Sequence, residues 1–122
     1  MEAQNQLAPW PVRGFVEARR QPRFKIGVDI TIKSRTSGLL TGHTVDLSES
    51  GISAMLKIEV PLGEVVELHF TLPFGPVTIC AMVRQRNAFR YGFQFFESNA
   101  GHKVIQATCR DLGFEQSLFG EP

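Results

Sequence analysis

Hydrophobic and polar residues alternate along several short segments of the chain, as they do in β-strands that bury one face. In the first segment, which begins at Phe24, Ile26, Val28, Ile30 and Ile32 share one side, and polar or small residues take the other. The five further segments span residues 39–45, 52–58, 66–72, 77–84 and 91–95. Turn-forming residues separate them, so the pattern predicts a six-stranded antiparallel β-barrel, closed or nearly closed.

The spacing of apolar residues lengthens after residue 97 and becomes helical. The residues that recur at intervals of three or four are Val104, Ile105, Thr108, Cys109 and Leu112. Ser98 or Asn99 is a suitable N-cap, and Gly113 is a suitable residue to end the helix. The fold class we predict is therefore all-β with one C-terminal α-helix, which we expect to cover a mouth of the barrel.

The N-terminal segment has a different character from the rest of the chain. Residues 1–23 show no sustained period and contain three prolines and Gly14, which predicts irregular structure. A length of 122 residues leaves room for one domain. We therefore expect an irregular arm over 1–16, a barrel domain with its helix over 17–113, and a C-terminal tail over 114–122.

Composition excludes several classes of protein. No apolar run approaches the roughly 18 residues of a membrane span, and Glu2 and Gln4 stand where an export signal needs a basic and then an apolar run. Cys80 and Cys109 are 29 positions apart, which is neither a metal-binding spacing nor the density of a disulfide scaffold. We expect a cytoplasmic protein in which both cysteines are reduced core residues.

Catalytic and metal-binding patterns find little support. His43, His69 and His102 are scattered over two predicted strands and the helix, without a pairing that suggests a base and nucleophile or a metal triad. Ser48 and Ser50 lack the strand–turn–helix context of a nucleophile elbow. We therefore expect no enzyme, no metal site and no cofactor.

Positive charge is concentrated in one part of the chain. The net charge of the chain is only +1, but from Arg13 to Arg35 seven basic residues face two acidic ones, a local net charge of +5. Three of them, Arg19, Arg20 and Arg23, lie directly before the first strand. Guanidinium groups bind phosphate oxygens in a fork and stack on purine rings, although such a cluster can also be a solvated basic turn.

A second polar cluster follows the second predicted strand. It has the sequence Asp46-Leu47-Ser48-Glu49-Ser50-Gly51. These residues are suited to an ordinary turn, in which Asp46 and Ser48 accept backbone N–H bonds and Gly51 takes a positive φ. They also suit nucleotide recognition, because a carboxylate accepts from guanine N1–H and N2–H₂ while arginine donates to O6 and N7.

The two clusters together resemble the signatures of PilZ domains, the bacterial receptors for cyclic di-GMP. Arg19-Arg20-x-x-Arg23 is similar to the first signature and Asp46-x-Ser48-x-x-Gly51 to the second, in the family's order and spacing. The apolar strand around Gly92 and the terminal helix extend the resemblance over about residues 17–112.

The resemblance implies a role for each signature residue. Arg19 and Arg23 would grip the phosphates and the Hoogsteen edges of the guanines, and Arg20 would assist them. Asp46 and Ser48 would hold guanine, and Gly51 would give the backbone room to turn. The resemblance also implies a non-enzymatic receptor whose ligand acts as a signal. Because the arm is dense in like charge, we expect the dianionic cyclic di-GMP to rearrange it on binding, and we expect the domain to signal to a protein partner.

Two other functions remain open from the sequence. Arg84, Arg86, Phe89 and Arg90 near the last hairpin would form the basic and aromatic strip of a small nucleic-acid-binding barrel, which we consider less favoured than a solvated hairpin tip. Alternatively, a PilZ-like protein-interaction adaptor would bind no nucleotide. For either a receptor or an adaptor, the candidate partner contacts are the apolar residues Trp10, Phe114, Leu118 and Phe119.

Overall fold

A computed structural model describes residues 14–16 and 21–119 of the chain. The strands are β1 (Phe24–Lys25), β2 (Asp29–Ser34), β3 (Gly38–Leu47), β4 (Gly51–Met55), β5 (Val65–Leu72), β6 (Gly75–Asn87) and β7 (Arg90–Phe95), and one helix, α1 (Asn99–Phe119), follows them. In this part of the chain, no helix combines the length and the hydropathy that crossing a membrane requires.

The sheet closes on itself. Its strands are hydrogen-bonded in the order β3-β2-β5-β6-β7-β4, and β4 pairs again with β3, every pairing being antiparallel. Six strands therefore form a closed barrel, and the predicted fold class is confirmed. The short strand β1 is added beside the end of β3, where Phe24 pairs with Leu47.

The first predicted strand is divided in two, and Thr44 is the local reason. The Thr44 hydroxyl donates to the carbonyl oxygen of Ile26 at 2.6 Å and accepts from the N–H of Val28 at 2.8 Å. The register of β3 also shifts between Thr44 and Asp46. Between β1 and β2, the Thr44 side chain thus replaces some of the backbone hydrogen bonds that a continuous strand would form with β3. Ile26 and Val28 still pack against the core, as their alternation predicts.

The alternating apolar residues fill the barrel. The predicted inward faces of β5, β6 and β7 are all buried, and they consist of Val66, Leu68, Phe70, Leu72, Val77, Ile79, Ala81, Val83, Tyr91, Phe93 and Phe95. Two residues of α1, Ile105 and Cys109, join the same core. The helix packs against β1, β5 and β6.

The helix begins as predicted but ends later. The Ser98 hydroxyl accepts from the N–H of Gly101 at 3.3 Å, as an N-cap does. The prediction that Gly113 ends the helix is wrong, because α1 continues to Phe119 through residues expected to form the tail. Gly113 lies against the ring of Phe24, and the Gln116 amide donates to the carbonyl oxygen of Lys25 at 3.1 Å. Contact with β1 therefore favours the helical conformation beyond the glycine.

The cysteines differ in their surroundings. Both are free, and Cys109 is buried in the core as expected. Cys80 is only half-buried, because it alternates with the core residues Ile79 and Ala81, so its predicted place in the core is wrong. Burial, together with the charge of Glu67, raises the pKa of Cys80 to about 11.

Candidate functional site

The carboxylate of Asp46 is the centre of a polar cluster on the outer wall of the barrel. Its Oδ1 accepts from Arg23 Nη2 at 2.7 Å, from Arg23 Nε at 3.0 Å and from the Ser53 hydroxyl at 2.7 Å. Its Oδ2 accepts from Arg90 Nη2 at 2.6 Å. Asp46 lies on β3, Ser53 on the neighbouring strand β4 and Arg90 on β7, which pairs with β4, whereas Arg23 precedes β1. Three separate segments of sequence therefore hold one carboxylate.

The arginines determine the charge state of Asp46. Burial alone would raise the pKa of this carboxyl, but hydrogen bonds from Arg23 and Ser53 and the charges of Arg23 and Arg90 outweigh it and hold the pKa below its ordinary value. The Asp46 side chain is 14% exposed, whereas those of Arg23 and Arg90 are 45% and 49% exposed. The anion is thus sheltered, and the two cations remain within reach of a ligand.

This cluster forms part of a cleft with a volume of about 630 Å³. Four arginines line the cleft, namely Arg23, Arg84, Arg86 and Arg90, and Asp46 is the one acidic side chain among the lining residues. The excess of guanidinium groups suits an anionic ligand with more than one phosphate, and the carboxylate adds an acceptor for N–H groups.

Ser48 and Gly51 shape the turn beside the cleft. The Ser48 side chain is buried, and its hydroxyl oxygen accepts from the backbone N–H of Ser50 at 3.2 Å and of Gly51 at 3.1 Å. A methyl group at Gly51 would collide with the carbonyl oxygen of Phe93 on β7. Gly51 is therefore needed for the close approach of two strands, and not for the positive φ of an ordinary turn, which it does not adopt.

Part of the N-terminal arm is bound to the barrel near the same cleft. The Val16 N–H donates to the carbonyl oxygen of Phe95 at 3.1 Å, and the ring of Phe15 stacks on Phe96 with centroids 4.4 Å apart. The Arg84 guanidinium lies over the Phe15 ring at 5.4 Å, and the Gln94 amide donates to the carbonyl oxygen of Val16 at 3.2 Å. Arg84 and Gln94 both line the cleft, so these two side chains contact the arm and the cleft alike.

The structure brings together some of the residues that the sequence singled out. Arg23 and Asp46 are in direct contact, and Gly51 lines the same cleft. Ser48 is not among the lining residues. Arg19 and Arg20 lie outside the described residues, as does Trp10, and so do the side chains of Leu118 and Phe119.

Sequence reasoning missed Ser53, and it placed Arg84, Arg86 and Arg90 in a separate basic strip. Barrel closure brings these residues to one cleft, because β4 pairs with β3 at Asp46 and Ser53 and with β7 at Ser53 and Gly92. Phe89, predicted for the same strip, does not line this cleft. The arginines of β6 and β7 do indicate a binding site in the sequence, but only the cross-strand register shows that they line the same cleft as Asp46.

Comparison with protein families decides the relationship. The model of the PilZ domain matches residues 17–110, which is most of the chain. This chain belongs to the PilZ domain family. The family predicted from the sequence is thus confirmed, while comparison with curated proteins finds no match.

Solved PilZ structures share the fold of this chain. The PilZ domain with c-di-GMP of YcgR from Escherichia coli is 18% identical, with a TM-score of 0.64 over 81% of this chain and 94% of that one. The PilZ domain of CeSA from a cellulose-synthesizing bacterium is 17% identical, with a TM-score of 0.59 over 77% and 98%. The MrkH–c-di-GMP complex of K. pneumonia is 20% identical, with a TM-score of 0.68 over 84% of this chain and 54% of MrkH.

Proposed function

We propose that this PilZ domain is a receptor for cyclic di-GMP. The observation that carries the proposal is the meeting of Arg23 and Asp46, 23 residues apart in sequence, in one cleft lined by arginines. Membership of the family and the printed descriptions of the YcgR and MrkH structures, which contain c-di-GMP, support this choice of ligand. The ligand acts as a signal, and the domain performs no catalysis.

The ligand and Asp46 compete for Arg23. In the structure, Arg23 occupies Oδ1 of Asp46 with two N–H groups. Each carboxylate oxygen offers two lone pairs. Asp46 can therefore accept both N1–H and N2–H₂ of guanine only after the N–H groups of Arg23 have left Oδ1. We infer that Arg23 moves to the ligand, together with Arg19 and Arg20, while Arg90 stays with Asp46 and keeps the carboxylate in place.

Ser48 and Gly51 have a supporting role in this proposal. The hydroxyl of Ser48 is engaged with the turn that follows Asp46, and Gly51 lets β4 approach β7. Together they fix the direction in which Asp46 faces the cleft. The direct contact of Ser48 with guanine, which the family resemblance implies, stays a prediction.

The arm conveys the presence of the ligand to a protein partner, which is not identified. Residues Arg84 and Gln94 support this step, because each contacts the arm and lines the cleft. A phosphate that binds Arg84 would withdraw its guanidinium from the Phe15 ring, and a cation–π contact of this kind contributes about 0.5–1 kcal/mol at an exposed site. Hydrogen exchange should therefore speed up at the Val16 N–H when ligand binds, and also in Arg84→Ala without ligand. Unchanged exchange at residues 14–16 on binding would contradict the arm mechanism.

Isothermal titration with cyclic di-GMP tests the receptor function, with GTP and the linear dinucleotide as controls. We expect binding of the cyclic dinucleotide and much weaker heats from both controls. Arg23→Ala should weaken binding by roughly ten- to a hundredfold, because it removes a charge-assisted contact. Arg110→Ala is the matched control, since Arg110 is an exposed arginine of α1 that does not line the cleft. Absence of binding to the parent chain would refute the proposal, as would equal affinity of Arg23→Ala.

A further inference from the structure

Gln116 on α1 covers the outer edge of the short strand β1. Its side-chain amide donates to the carbonyl oxygen of Lys25 at 3.1 Å, and its amide oxygen accepts from the Lys25 N–H at 3.4 Å. The N–H and C=O groups of one residue point to the same side of an antiparallel strand, so those of Lys25 face α1 and not β3. The side chain of Gln116 thus takes the position that the backbone of a further strand would have.

Strand β1 depends on this contact because it is short. It consists of Phe24 and Lys25 alone, and it stands at the end of the strand order, so within the described residues no strand lies on its outer side. On that side α1 supplies both hydrogen bonds to Lys25, and Gly113 lies against the ring of Phe24. The last turns of α1 therefore hold β1 in its place beside β3.

The position of β1 sets the position of Arg23. This arginine directly precedes β1, and Lys25 lies opposite Asp46 in the pairing of β1 with β3. From there Arg23 donates to Asp46 Oδ1 through Nη2 at 2.7 Å and through Nε at 3.0 Å. Because two N–H groups must reach one oxygen, the contact is sensitive to the place from which the arginine side chain starts.

The middle of α1 is also close to the binding site. Cys109, two helical turns before Gln116, is 3% exposed. Burial raises the pKa of its thiol to about 12, the charge of Glu49 adds to this effect, and the charge of Arg23 opposes it. Glu49 belongs to the turn beside the cleft, so one helix lies close to both signature segments.

We propose that Gln116 is a positioning residue for the cyclic di-GMP site, because it holds β1 and thereby keeps Arg23 within reach of the cleft. This inference rests on the proposed receptor function. When Arg23 leaves Asp46 for a phosphate, only its side chain has to turn, since β1 stays fixed to the helix. On a loose β1, Arg23 would have to be ordered at the moment of binding, and that cost lowers affinity.

Calorimetric titration of the full chain with cyclic di-GMP tests this role. Gln116→Ala should weaken binding by about three- to tenfold, through the loss of neutral hydrogen bonds. The loss should stay below that of Arg23→Ala, because Gln116 acts only through Arg23. Gln116→Met keeps the length and the helix-forming character of the side chain but cannot donate to the Lys25 carbonyl oxygen, and should give the same loss. In an Arg23→Ala background, Gln116→Ala should have no further effect.

Phe114→Ala is the matched control. Phe114 is uncharged, lies in the same turn of α1, is 71% exposed and does not line the cleft. Its replacement should leave the affinity for cyclic di-GMP unchanged. Thermal melts by circular dichroism verify that each variant folds.

A measurement without ligand separates this inference from the receptor function. Burial raises the pKa of Asp46, but the hydrogen bonds and the charge of Arg23 help to hold it below its ordinary value. The pKa of this carboxyl, followed by NMR of its side-chain carbon, therefore reports where Arg23 lies. Gln116→Ala and Gln116→Met should raise it part of the way to its value in Arg23→Ala. A contact that only stabilises the fold would leave it unchanged in the folded variants.

Three results would overturn the role of Gln116. Parent-like affinity in both folded Gln116 variants is the first, and it leaves the receptor function intact. An Asp46 pKa equal to that of the parent is the second. The third is a loss in the Arg23→Ala background as large as in the parent, because Gln116 then acts independently of Arg23. If the parent binds no cyclic di-GMP, the receptor function fails, and the Asp46 titration still decides whether Gln116 positions Arg23.

Discussion

Replacement of Asp46 by asparagine tests both roles of this carboxylate, namely the binding of arginines in the free domain and the recognition of guanine in the proposed complex. Asp46→Asn keeps the shape of the side chain but removes the charge that holds Arg23 and Arg90. It also removes the acceptor pair that recognises guanine N1–H and N2–H₂ in the proposed complex. The substitution therefore has two opposite effects on binding: it weakens the contact with guanine, and it frees Arg23 for the phosphates.

The loss outweighs the gain. Two hydrogen bonds to a charged acceptor contribute about 1.5–3 kcal/mol each, so their loss costs roughly 3–6 kcal/mol. Arg23 is 45% exposed, and an ion pair of such an exposed partner contributes only about 0–1 kcal/mol, which limits the gain from its release. The net loss is roughly 2–6 kcal/mol, which weakens binding by about thirtyfold to a few ten-thousandfold.

Calorimetric titration of Asp46→Asn with cyclic di-GMP and cyclic di-AMP measures this effect. We expect weaker binding of the guanine ligand and a smaller preference for guanine over adenine, because an amide can pair with adenine as well. Ser53→Ala is the control, since it removes one hydrogen bond to Oδ1 and leaves the charge; its loss should stay within about tenfold. Asp46→Asn affinity within about threefold of the parent, with unchanged base preference, would refute the role of Asp46.

Three further predictions concern stability and reactivity. Gly51→Ala should lower the free energy of unfolding in urea by roughly 1–3 kcal/mol, because the methyl group meets the Phe93 carbonyl; unchanged stability would contradict the close approach. Folding lowers the pKa of Asp46, so the contribution of this carboxylate to stability is complete above the ordinary pKa of 3.8 and is lost as the pH falls through the folded pKa. In acid unfolding experiments, Asp46→Asn should therefore lose less stability than the parent at low pH. An identical loss of stability in both proteins would argue against this contribution. Burial raises the pKa of Cys80 to about 11 and of Cys109 to about 12, so iodoacetamide at about pH 8 should label both thiols only after unfolding, and rapid labelling of the folded chain, read by mass spectrometry, would show that they are accessible thiolates.

The sequence predicts the barrel well because strand alternation is a local property. Val66, Leu68 and Phe70 bury one face of β5, and each could be assigned from its neighbours. The errors arise where a distant contact overrides a local preference. The glycine at 113 is a common helix end, but the contact between Gln116 and Lys25, 91 positions apart, stabilises the longer helix.

The candidate site likewise combines residues that local sequence patterns predict with residues that only distant contacts bring together. Arg23 and Asp46 were predicted from two local signatures, whereas Ser53 and Arg90 could not be assigned to the site from sequence. Their approach to Asp46 depends on the register of β3 with β4, which sets Asp46 opposite Ser53 after a shift between Thr44 and Asp46, and on the pairing of β4 with β7. Cross-strand register of this kind has no signal in a single sequence.

A crystal structure of the complex with cyclic di-GMP tests the central claim most directly. We predict that the Arg23 guanidinium leaves Asp46 for the ligand and that the Asp46 carboxylate accepts from the Watson–Crick edge of a guanine, still held by Arg90. A ligand bound away from the cleft, or a complex in which Arg23 and Asp46 remain paired and neither contacts the dinucleotide, would contradict this account.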